Sequence, residues 1–419
     1  MKQITVAILG CGSRGASAYG KHLVDKKEQF SIVALCDVDS VALSLAKDEF
    51  GVKDENAFLD ERTFFTKRRA DLLVIATPDK FHVAQALTAM RLGYDILLEK
   101  PVTDNERQLK ALLKTQKKYG NKVFVCHVLR YAPAFVKAKQ LLQSGAIGQL
   151  VSIQATERVA YWHDAHSYVR GNWRDTKASA PMILAKCSHD LDLLQYYAGS
   201  RCKTVSSVGD LRYFTRKNAP QNSTERCVDC PLFETCPYSA NWYLNAFEQL
   251  GRPADIWPFN VVTKARPVTK ESLQTAIATG EYGKCVFRCD NNAVDHQLTV
   301  MTFENGVKAT LTMMAFTADG GRVISFYGTD GEMVLEEVNE RILVRPFGKA
   351  EQTVACKVQT EQGGHAHGGG DAAMIASLYD MLTGTGEEGT ALLQSVESHL
   401  MGIKAERSRK RGGKLQKIR

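Results

Sequence analysis

The glycine-rich turn Gly10–Gly15 constrains the fold of this chain more than any other feature. It reads G-x-G-x-x-G and follows the apolar run Ile4–Leu9 directly. Between a strand and a helix, the first glycine allows a tight turn, the second lets the backbone approach a pyrophosphate, and the third lets the helix pack against the strand. Unpaired N–H groups at the start of that helix favour phosphates. The turn therefore predicts a dinucleotide-binding site.

An acidic residue stands where such a site requires one. The β-branched run Ser31–Cys36 ends at Asp37, 22 residues after Gly15. A carboxylate there accepts hydrogen bonds from the ribose hydroxyls of NAD and repels the 2′-phosphate of NADP. The sequence therefore predicts NAD as the cofactor. The predicted cofactor-binding residues in this part of the chain are Gly10, Gly12, Ser13, Arg14, Gly15 and Asp37.

The strand pattern predicts two domains. Further apolar runs at Ala70–Ala76, Asp95–Leu98 and Lys122–Cys126 alternate with helical segments, which is typical of a parallel sheet covered on both faces. We therefore expect an α/β, doubly wound Rossmann domain over residues 1–126. Later runs alternate like half-exposed strands and predict an α+β domain with a large, mainly antiparallel open sheet over residues 127–419. Expected elements of this second domain include a strand at Lys284–Cys289 and a helix at Pro181–Ala198.

The charge distribution argues against nucleic acid as a partner. The net charge is +8, but Lys404–Arg419 carries eight Lys or Arg residues and one Glu. The rest of the chain is therefore near neutral, and we expect the tail to be a solvated helix end with an exposed final segment. No apolar run is long enough for a membrane span, and the first strand begins at once with no room for a leader. These features predict a cytoplasmic protein with no membrane partner.

Several motifs together resemble the Gfo/Idh/MocA oxidoreductases. They are the glycine turn, Ala76-Thr-Pro-Asp79 with His82, Glu99-Lys-Pro101 followed by Val-Thr, and His189-x-x-Asp192. The resemblance covers nearly the whole chain. It implies NAD(P)-dependent oxidation or reduction of sugars, inositols and related polyols, and a homodimer or homotetramer. By the same resemblance, Lys100 is the active-site lysine, and the nicotinamide half of the cofactor is lined by Thr77, Pro78, His82, Glu99 and Lys100.

The chain departs from that family at one motif. Members commonly carry D-x-x-x-H-x-x-D, whereas this sequence has Ala185 at the first position, followed by Lys186. Oxidation of a carbinol needs a base for the hydroxyl proton and a donor to polarise the oxygen. We assign His189 as the base and Lys100 as the donor or alternative base. Lys186 is expected to take the electrostatic place of the missing Asp with opposite sign.

An aromatic segment near residues 161–174 predicts a substrate loop. Sugars present flat C–H faces to aromatic rings and hydroxyls to Arg, His and Asn. A packing or interface loop remains an equal alternative for each single residue. A glycine-rich stretch around His367 could also bring that residue to the site, or could simply connect two elements. The predicted substrate-binding residues are Arg130, His166, Trp173, Arg174 and Asp192.

Closely spaced cysteines give the strongest metal signal. Cys227, Cys230 and Cys236 follow a C-x-x-C-x5-C pattern, which resembles a zinc knuckle. Cys202, Cys285, Cys289 or a histidine could supply a fourth ligand. The sequence therefore predicts a structural zinc site, with unliganded reduced thiols and an iron–sulfur cluster as alternatives.

Three functions remain open at this point. The leading one is an NAD-dependent oxidoreductase acting on the CH–OH group of a sugar, inositol or related polyol. The second is an NAD-dependent glycoside hydrolase that works by transient oxidation and elimination, because elimination needs an extra acid or base near the ring. The third is a non-catalytic regulator that senses NAD.

Overall fold

The first sheet of the protein is a six-stranded parallel sheet of order β3-β2-β1-β4-β5-β6. The computed structural model describes residues 3–251, 255–357, 366–386 and 389–419. The central strand β4 is buried at every position, as the apolar runs predict. The strands are β1 (Ile4–Leu9), β2 (Phe30–Cys36), β3 (Ala57–Phe58), β4 (Leu72–Ile75), β5 (Asp95–Leu98) and β6 (Val123–Val125).

Helices connect these strands and begin and end at residues suited to those positions. The glycine turn leads into a π-helical segment, Ser13–Gly20, which continues as α1. Asp39 caps the start of α2 by accepting from two backbone N–H groups, and Gly51 ends that helix in the left-handed conformation. The helices are α1 (Lys21–Val24), α2 (Ser40–Phe50), α3 (Glu61–Phe64), α4 (His82–Arg91) and α5 (Glu106–Tyr119).

The second sheet has nine strands in the order β14-β13-β12-β11-β7-β10-β9-β8-β15. Only β7 and β10 pair in parallel; the other neighbours are antiparallel. The predicted fold class is therefore confirmed. The strands are β7 (Leu150–Ala160), β8 (Cys202–Asp210), β9 (His296–Phe303), β10 (Lys308–Thr317), β11 (Gly321–Gly328), β12 (Gly331–Glu336), β13 (Arg341–Pro346), β14 (Gln352–Ala355) and β15 (Gln416–Lys417).

Helices cover one face of this sheet, and a helical insertion stands between β8 and β9. The insertion carries α10–α12 around its own apolar core, which includes Tyr243, Phe259 and Cys227. The helices are α6 (Pro133–Gln143), α7 (Tyr161–Asp164), α8 (Met182–Ala185), α9 (Ser188–Ala198), α10 (Asn241–Gln249), α11 (Phe259–Val262), α12 (Lys270–Thr279), α13 (Gly370–Thr383) and α14 (Leu392–Arg409).

Two expected elements differ from the structure. The stretch Lys284–Cys289 is not a strand of the sheet, because Lys284 bridges to Arg226 within the insertion instead. The expected helix Pro181–Ala198 is broken between α8 and α9. The break coincides with Lys100, whose ammonium group donates to the Ala185 carbonyl oxygen at 3.1 Å.

The C-terminal part of the chain returns to the first sheet. The Val125 N–H donates to the Thr390 carbonyl oxygen at 2.9 Å, and the Val102 N–H donates to His399 Nε2 at 2.8 Å. The predicted domain boundary between residues 126 and 127 stays a prediction. The final segment is mostly exposed, as the charge pattern predicts, but it is attached to the second sheet, because β15 pairs with β8 and Ile418 is buried.

No helix among the described ranges combines the length and the apolarity that a membrane crossing demands.

Met401 tests how strongly α14 contributes to stability. Its side chain is fully buried, so Met401→Ala should lower the free energy of unfolding by about 2–5 kcal/mol through lost contacts and a cavity. Leu393 lies on the same helix but is 68% exposed, and Leu393→Ala is the matched control. Urea unfolding of both variants gives the comparison. Equal effects would show that α14 is not part of the cooperative core.

Candidate active site

The glycine turn has the geometry that phosphate binding requires. Gly10 has φ +96°, and a Cβ there would lie 2.6 Å from the Ala76 carbonyl oxygen. A Cβ on Gly15 would lie 1.8 Å from the Gly10 carbonyl oxygen. A Cβ on Gly12, in contrast, would meet no protein atom within 4 Å. The turn is therefore tightly packed on the protein side and open beside Gly12, and Ser13 begins the following helix.

Asp37 is bound to the same turn. One of its carboxylate oxygens accepts from the Cys11 N–H at 2.6 Å, and the other accepts from the Asp39 N–H at 2.8 Å. Each oxygen still has a lone pair for a further donor. Asp37 therefore fixes the turn and keeps the capacity to accept from ribose hydroxyls.

Arg14 contacts protein groups rather than open space. Its guanidinium lies 2.6 Å from the Glu99 carboxylate and 2.7 Å from that of Asp371, and it also donates to the Tyr19 hydroxyl. Burial is the largest influence and would raise the pKa of both carboxyls, but the neighbouring groups together lower both pKa values: Arg14 and Lys100 at Glu99, and Arg14 and His367 at Asp371. The Arg14 side chain thus ties the turn to the end of β5 and to α13.

His82 joins the segments that follow β4 and β5. Its Nδ1 lies 2.9 Å from the Pro101 carbonyl oxygen, and its Nε2 lies 2.7 Å from the Thr77 carbonyl oxygen. The Thr77 hydroxyl bonds to Gln85, and Pro78 precedes a short helical turn. The His82 ring is buried and connects the ends of β4 and β5.

Lys100 stands at the centre of the site. Its ammonium group bonds to the carbonyl oxygen of Ala185, the residue at the position of the missing Asp. Burial lowers the pKa of Lys100, and the charges of Arg14 and Lys186 lower it further, whereas Glu99 and Asp79 oppose the change. A backbone oxygen therefore contacts the lysine from the position where the family commonly has a carboxylate.

His189 is a buried imidazole, and none of the described residues forms a hydrogen bond with either of its ring nitrogens. Burial holds its pKa well below the usual range, and the neighbouring Lys100 and His367 add to the effect. The ring is consequently neutral at physiological pH. A neutral imidazole with an open nitrogen can accept a proton from a substrate hydroxyl.

Two further histidines join this group. The His367 ring lies 5.4 Å from that of His189, and its Nδ1 lies 3.1 Å from the Asp371 carboxylate. Burial lowers the pKa of His163, as do the nearby charges of Lys186 and other groups. The glycine-rich stretch was the only sequence signal for His367, and the aromatic segment was the only one for His163.

Lys186 lies in a buried charge network. Its ammonium group is 3.1 Å from Glu157, which also lies 2.6 Å from Arg322, and Arg322 in turn bonds to Asp190 at 2.8 Å. Glu157 was missed by the sequence reasoning. The alternation along β7 could have found it, since Glu157 occupies the inward face that Ala155 and Val159 share.

Arg130 and Asp192 bind each other. Two guanidinium nitrogens of Arg130 lie 2.6 and 2.7 Å from the two Asp192 oxygens, and both side chains are buried. His127 lies 3.8 Å from Asp192, and burial lowers its pKa to about 3. The His127 ring is 6.1 Å from that of His189, and Asp192 lies on the same helix as His189.

The predicted substrate loop divides between the site and the insertion. Trp173 lies against Asp79, a neighbour of Lys100. His166 instead bonds to the Tyr243 hydroxyl at 2.9 Å and packs against aromatic rings, and Arg174 pairs with Asp290 at 2.8 Å. The structure therefore brings Trp173 to the site and places His166 and Arg174 against the insertion.

The three cysteines of the predicted metal site line one cavity. Cys227, Cys230 and Cys236 share it with Cys285, one of the expected fourth ligands. Cys202 lies elsewhere, within β8.

Two glycine substitutions distinguish the role of the turn in packing from its role in NAD binding. Gly12 has φ −79°, which alanine tolerates, so Gly12→Ala should fold normally but bind NAD more weakly because the methyl group fills the open side. Gly15→Ala should cost about 1–3 kcal/mol of stability through its backbone clash. Thermal melting with and without NAD measures both effects. Unchanged NAD affinity in the folded Gly12→Ala variant would contradict the predicted phosphate position.

Family models match both parts of the chain. An oxidoreductase family model with an NAD-binding Rossmann fold (GFO_IDH_MocA) matches residues 4–127, and the C-terminal alpha/beta domain model of the same family matches residues 139–416.

Individual proteins show the same likeness. A putative oxidoreductase YteT from Bacillus subtilis is 23% identical over 392 residues, which cover 89% of this chain and 88% of the relative. Inositol 2-dehydrogenase from Corynebacterium glutamicum is 25% identical over 206 residues, 49% of this chain and 57% of the relative. The crystallised levoglucosan dehydrogenase with NADH and levoglucosan superposes with a TM-score of 0.72 at 16% identity, covering all of both chains. The two family models together span nearly the whole sequence, and the chain belongs to the Gfo/Idh/MocA oxidoreductase family.

Proposed function

We propose that the protein is an NAD-dependent dehydrogenase acting on the CH–OH group of a sugar, inositol or related polyol. The observation that carries the proposal is that Lys100 lies close enough to His189 to lower its pKa, while the His189 ring nitrogens bond to none of the described residues. The names of two similar proteins, inositol 2-dehydrogenase and levoglucosan dehydrogenase, support this substrate class.

The residues of the turn fit NAD. The open side of Gly12 accommodates a pyrophosphate, and the Asp37 carboxylate favours a free ribose over a 2′-phosphate. When bound, NAD supplies the acceptor for the hydride. Arg14 supports this site indirectly, by fixing the turn to Glu99 and Asp371.

The side chains of the site divide the remaining work. His189 accepts the hydroxyl proton, and Lys100 exchanges its bond to the Ala185 carbonyl for one to the substrate oxygen. Lys186 remains paired with Glu157 and raises the local positive potential rather than moving a proton. The buried Arg130–Asp192 pair fixes α9, the helix that carries His189. Trp173 offers an aromatic face to the sugar.

A homo-oligomer built through the second sheet completes the proposal. The outward face of that sheet exposes apolar side chains on several strands, and a second copy of the chain would cover them. The cysteines are all free thiols, as a reducing cytoplasm would keep them. The exposed side chains are Val208, Leu298, Val300 and Tyr327.

Replacing the base tests the proposed mechanism. His189→Asn should reduce turnover by about 10²–10⁴-fold, the range that a positioned base contributes, while NAD affinity stays unchanged. Because the pKa of His189 is lowered, the loss of wild-type kcat/KM toward acid pH should lie below about pH 6.5, as His189 becomes protonated only there. His22→Ala, on the surface helix α1, is the control. Full turnover in His189→Asn would overturn the assignment.

A glycoside hydrolase that uses NAD transiently is the second candidate. The specific observation in its favour is that His163 and His367 accompany His189 around Lys100, since elimination needs an additional acid or base. Its net reaction consumes no NAD.

Product analysis separates the two functions. We expect the protein to form NADH when NAD is mixed with a panel of free sugars and inositols. Cleavage of a nitrophenyl glycoside with no net NADH would instead establish the hydrolase. NAD binding with neither activity, and no effect of Lys100→Met on NAD binding, would favour a non-catalytic sensor.

A further inference from the structure

The insertion between β8 and β9 arranges four thiols around one cavity. Cys227, Cys230 and Cys236 come from a single loop, and Cys285 comes from the segment that follows α12. The two segments are 49 residues apart in sequence at their nearest thiols, Cys236 and Cys285. The remaining walls are mainly apolar, and include Leu232, Phe233, Val286 and Phe287.

Backbone hydrogen bonds hold the thiols in this arrangement. The Cys230 N–H donates to the Cys227 carbonyl oxygen at 3.1 Å, which closes the C-x-x-C turn. The Cys285 N–H donates to the Glu225 carbonyl oxygen at 3.0 Å, and Arg226 bridges to Lys284. These hydrogen bonds hold the loop and the second segment next to each other without a bound ligand.

The spacing of the sulfur atoms distinguishes between metal centres. Four thiolates on one Zn²⁺ at about 2.3 Å would lie about 3.8 Å from one another. In the part of the chain that the structure describes, no three of these sulfurs lie all within 4.8 Å of one another. The cavity between them has about 20 Å³ of room for the centre of a water molecule. The four sulfur atoms are therefore spaced more widely than in a site for a single zinc ion. This spacing suits a centre that contains several metal ions.

A water molecule is a poor occupant of the same space. A buried water is held by about three hydrogen bonds to polar groups. The cavity offers chiefly thiols, which are weak partners, and apolar side chains. A metal centre that is bound directly by the cysteine sulfurs fits these walls better than a water molecule does.

A buried cation points to negative charge at the cavity. Arg170 is 3% exposed, and its guanidinium donates to the Lys284 and Tyr238 carbonyl oxygens and lies 3.5 Å from the Cys227 sulfur. Among the described residues, no carboxylate pairs with Arg170, although a buried charge needs a counter-charge. Cysteine thiolates and the metal centre that they bind would supply the negative charge that Arg170 needs.

We propose that Cys227, Cys230, Cys236 and Cys285 bind an iron–sulfur cluster. Each thiol loses its proton and forms one bond from its sulfur to iron. The cluster joins the loop to the segment after α12 and so pins the helical insertion in place.

The pinned insertion reaches the active site through aromatic side chains. Trp242 on α10 stacks on Trp162 at a ring distance of 4.4 Å, and Trp257 lies 4.9 Å from His163. His163 in turn faces Lys100 and Lys186. The cluster therefore supports the wall of the site without touching the reacting atoms.

Metal and sulfide analysis of the full-length protein, purified without oxygen from iron-supplied cells, tests the proposal. We expect iron and acid-labile sulfide in equal amounts, about two or about four of each per chain for the two cluster types that four cysteines hold. The protein should show broad visible absorption that bleaches on reduction. Cys236→Ser should lose most of the iron and sulfide; Cys236 is half-buried, so we expect the variant to fold.

Cys289→Ser is the matched control. Cys289 is on the same segment as Cys285, but its thiol donates to the Cys285 carbonyl oxygen and does not line the cavity. This variant should keep its iron and sulfide. Zinc in place of iron, protein free of metal, or equal losses in Cys289→Ser and Cys236→Ser would each overturn the cluster. If Cys236→Ser fails to fold, the wild-type iron and sulfide content alone decides.

Discussion

The Arg14 guanidinium holds the site together. It carries one positive charge between two buried carboxylates, Glu99 and Asp371, that come from distant parts of the chain. Removing one partner from such an arrangement leaves a buried charge uncompensated, which costs several kcal/mol. The glycine turn, the end of β5 and the first turn of α13 are therefore fixed relative to one another. Every other feature of the site is arranged around that connection.

Burial and the positive charges near the site favour neutral imidazoles next to Lys100. His189, His163 and His367 all have pKa values lowered by burial and by nearby cations. Lys100 itself is destabilised as a cation by burial. Such a site keeps its imidazoles unprotonated at neutral pH and so available as bases, although the lowered pKa makes each of them a weaker base.

Sequence reasoning succeeded where the signal was local. The parallel sheet followed from apolar runs such as Leu72–Ile75, and most later strands followed from alternation. It failed where a tertiary contact overrode the local pattern: the Ala185 carbonyl bonds to Lys100 at the point where the predicted helix breaks, and Lys284–Cys289 pairs within the insertion. The pairing of Arg130 with Asp192 was equally hidden, because no periodicity relates residues 62 positions apart. Cys285 could be named only as one of several alternatives.

The way the chain end closes over the first sheet affects how the protein is made. Phe124 of β6 pairs with Ala391, and the Val102 N–H is satisfied by His399. While the ribosome is still adding the intervening residues, a nascent chain therefore has an uncovered strand edge at β6. Uncovered edges are templates for pairing with other chains. A chain that stops before Ala391 would leave this edge of the first sheet uncovered.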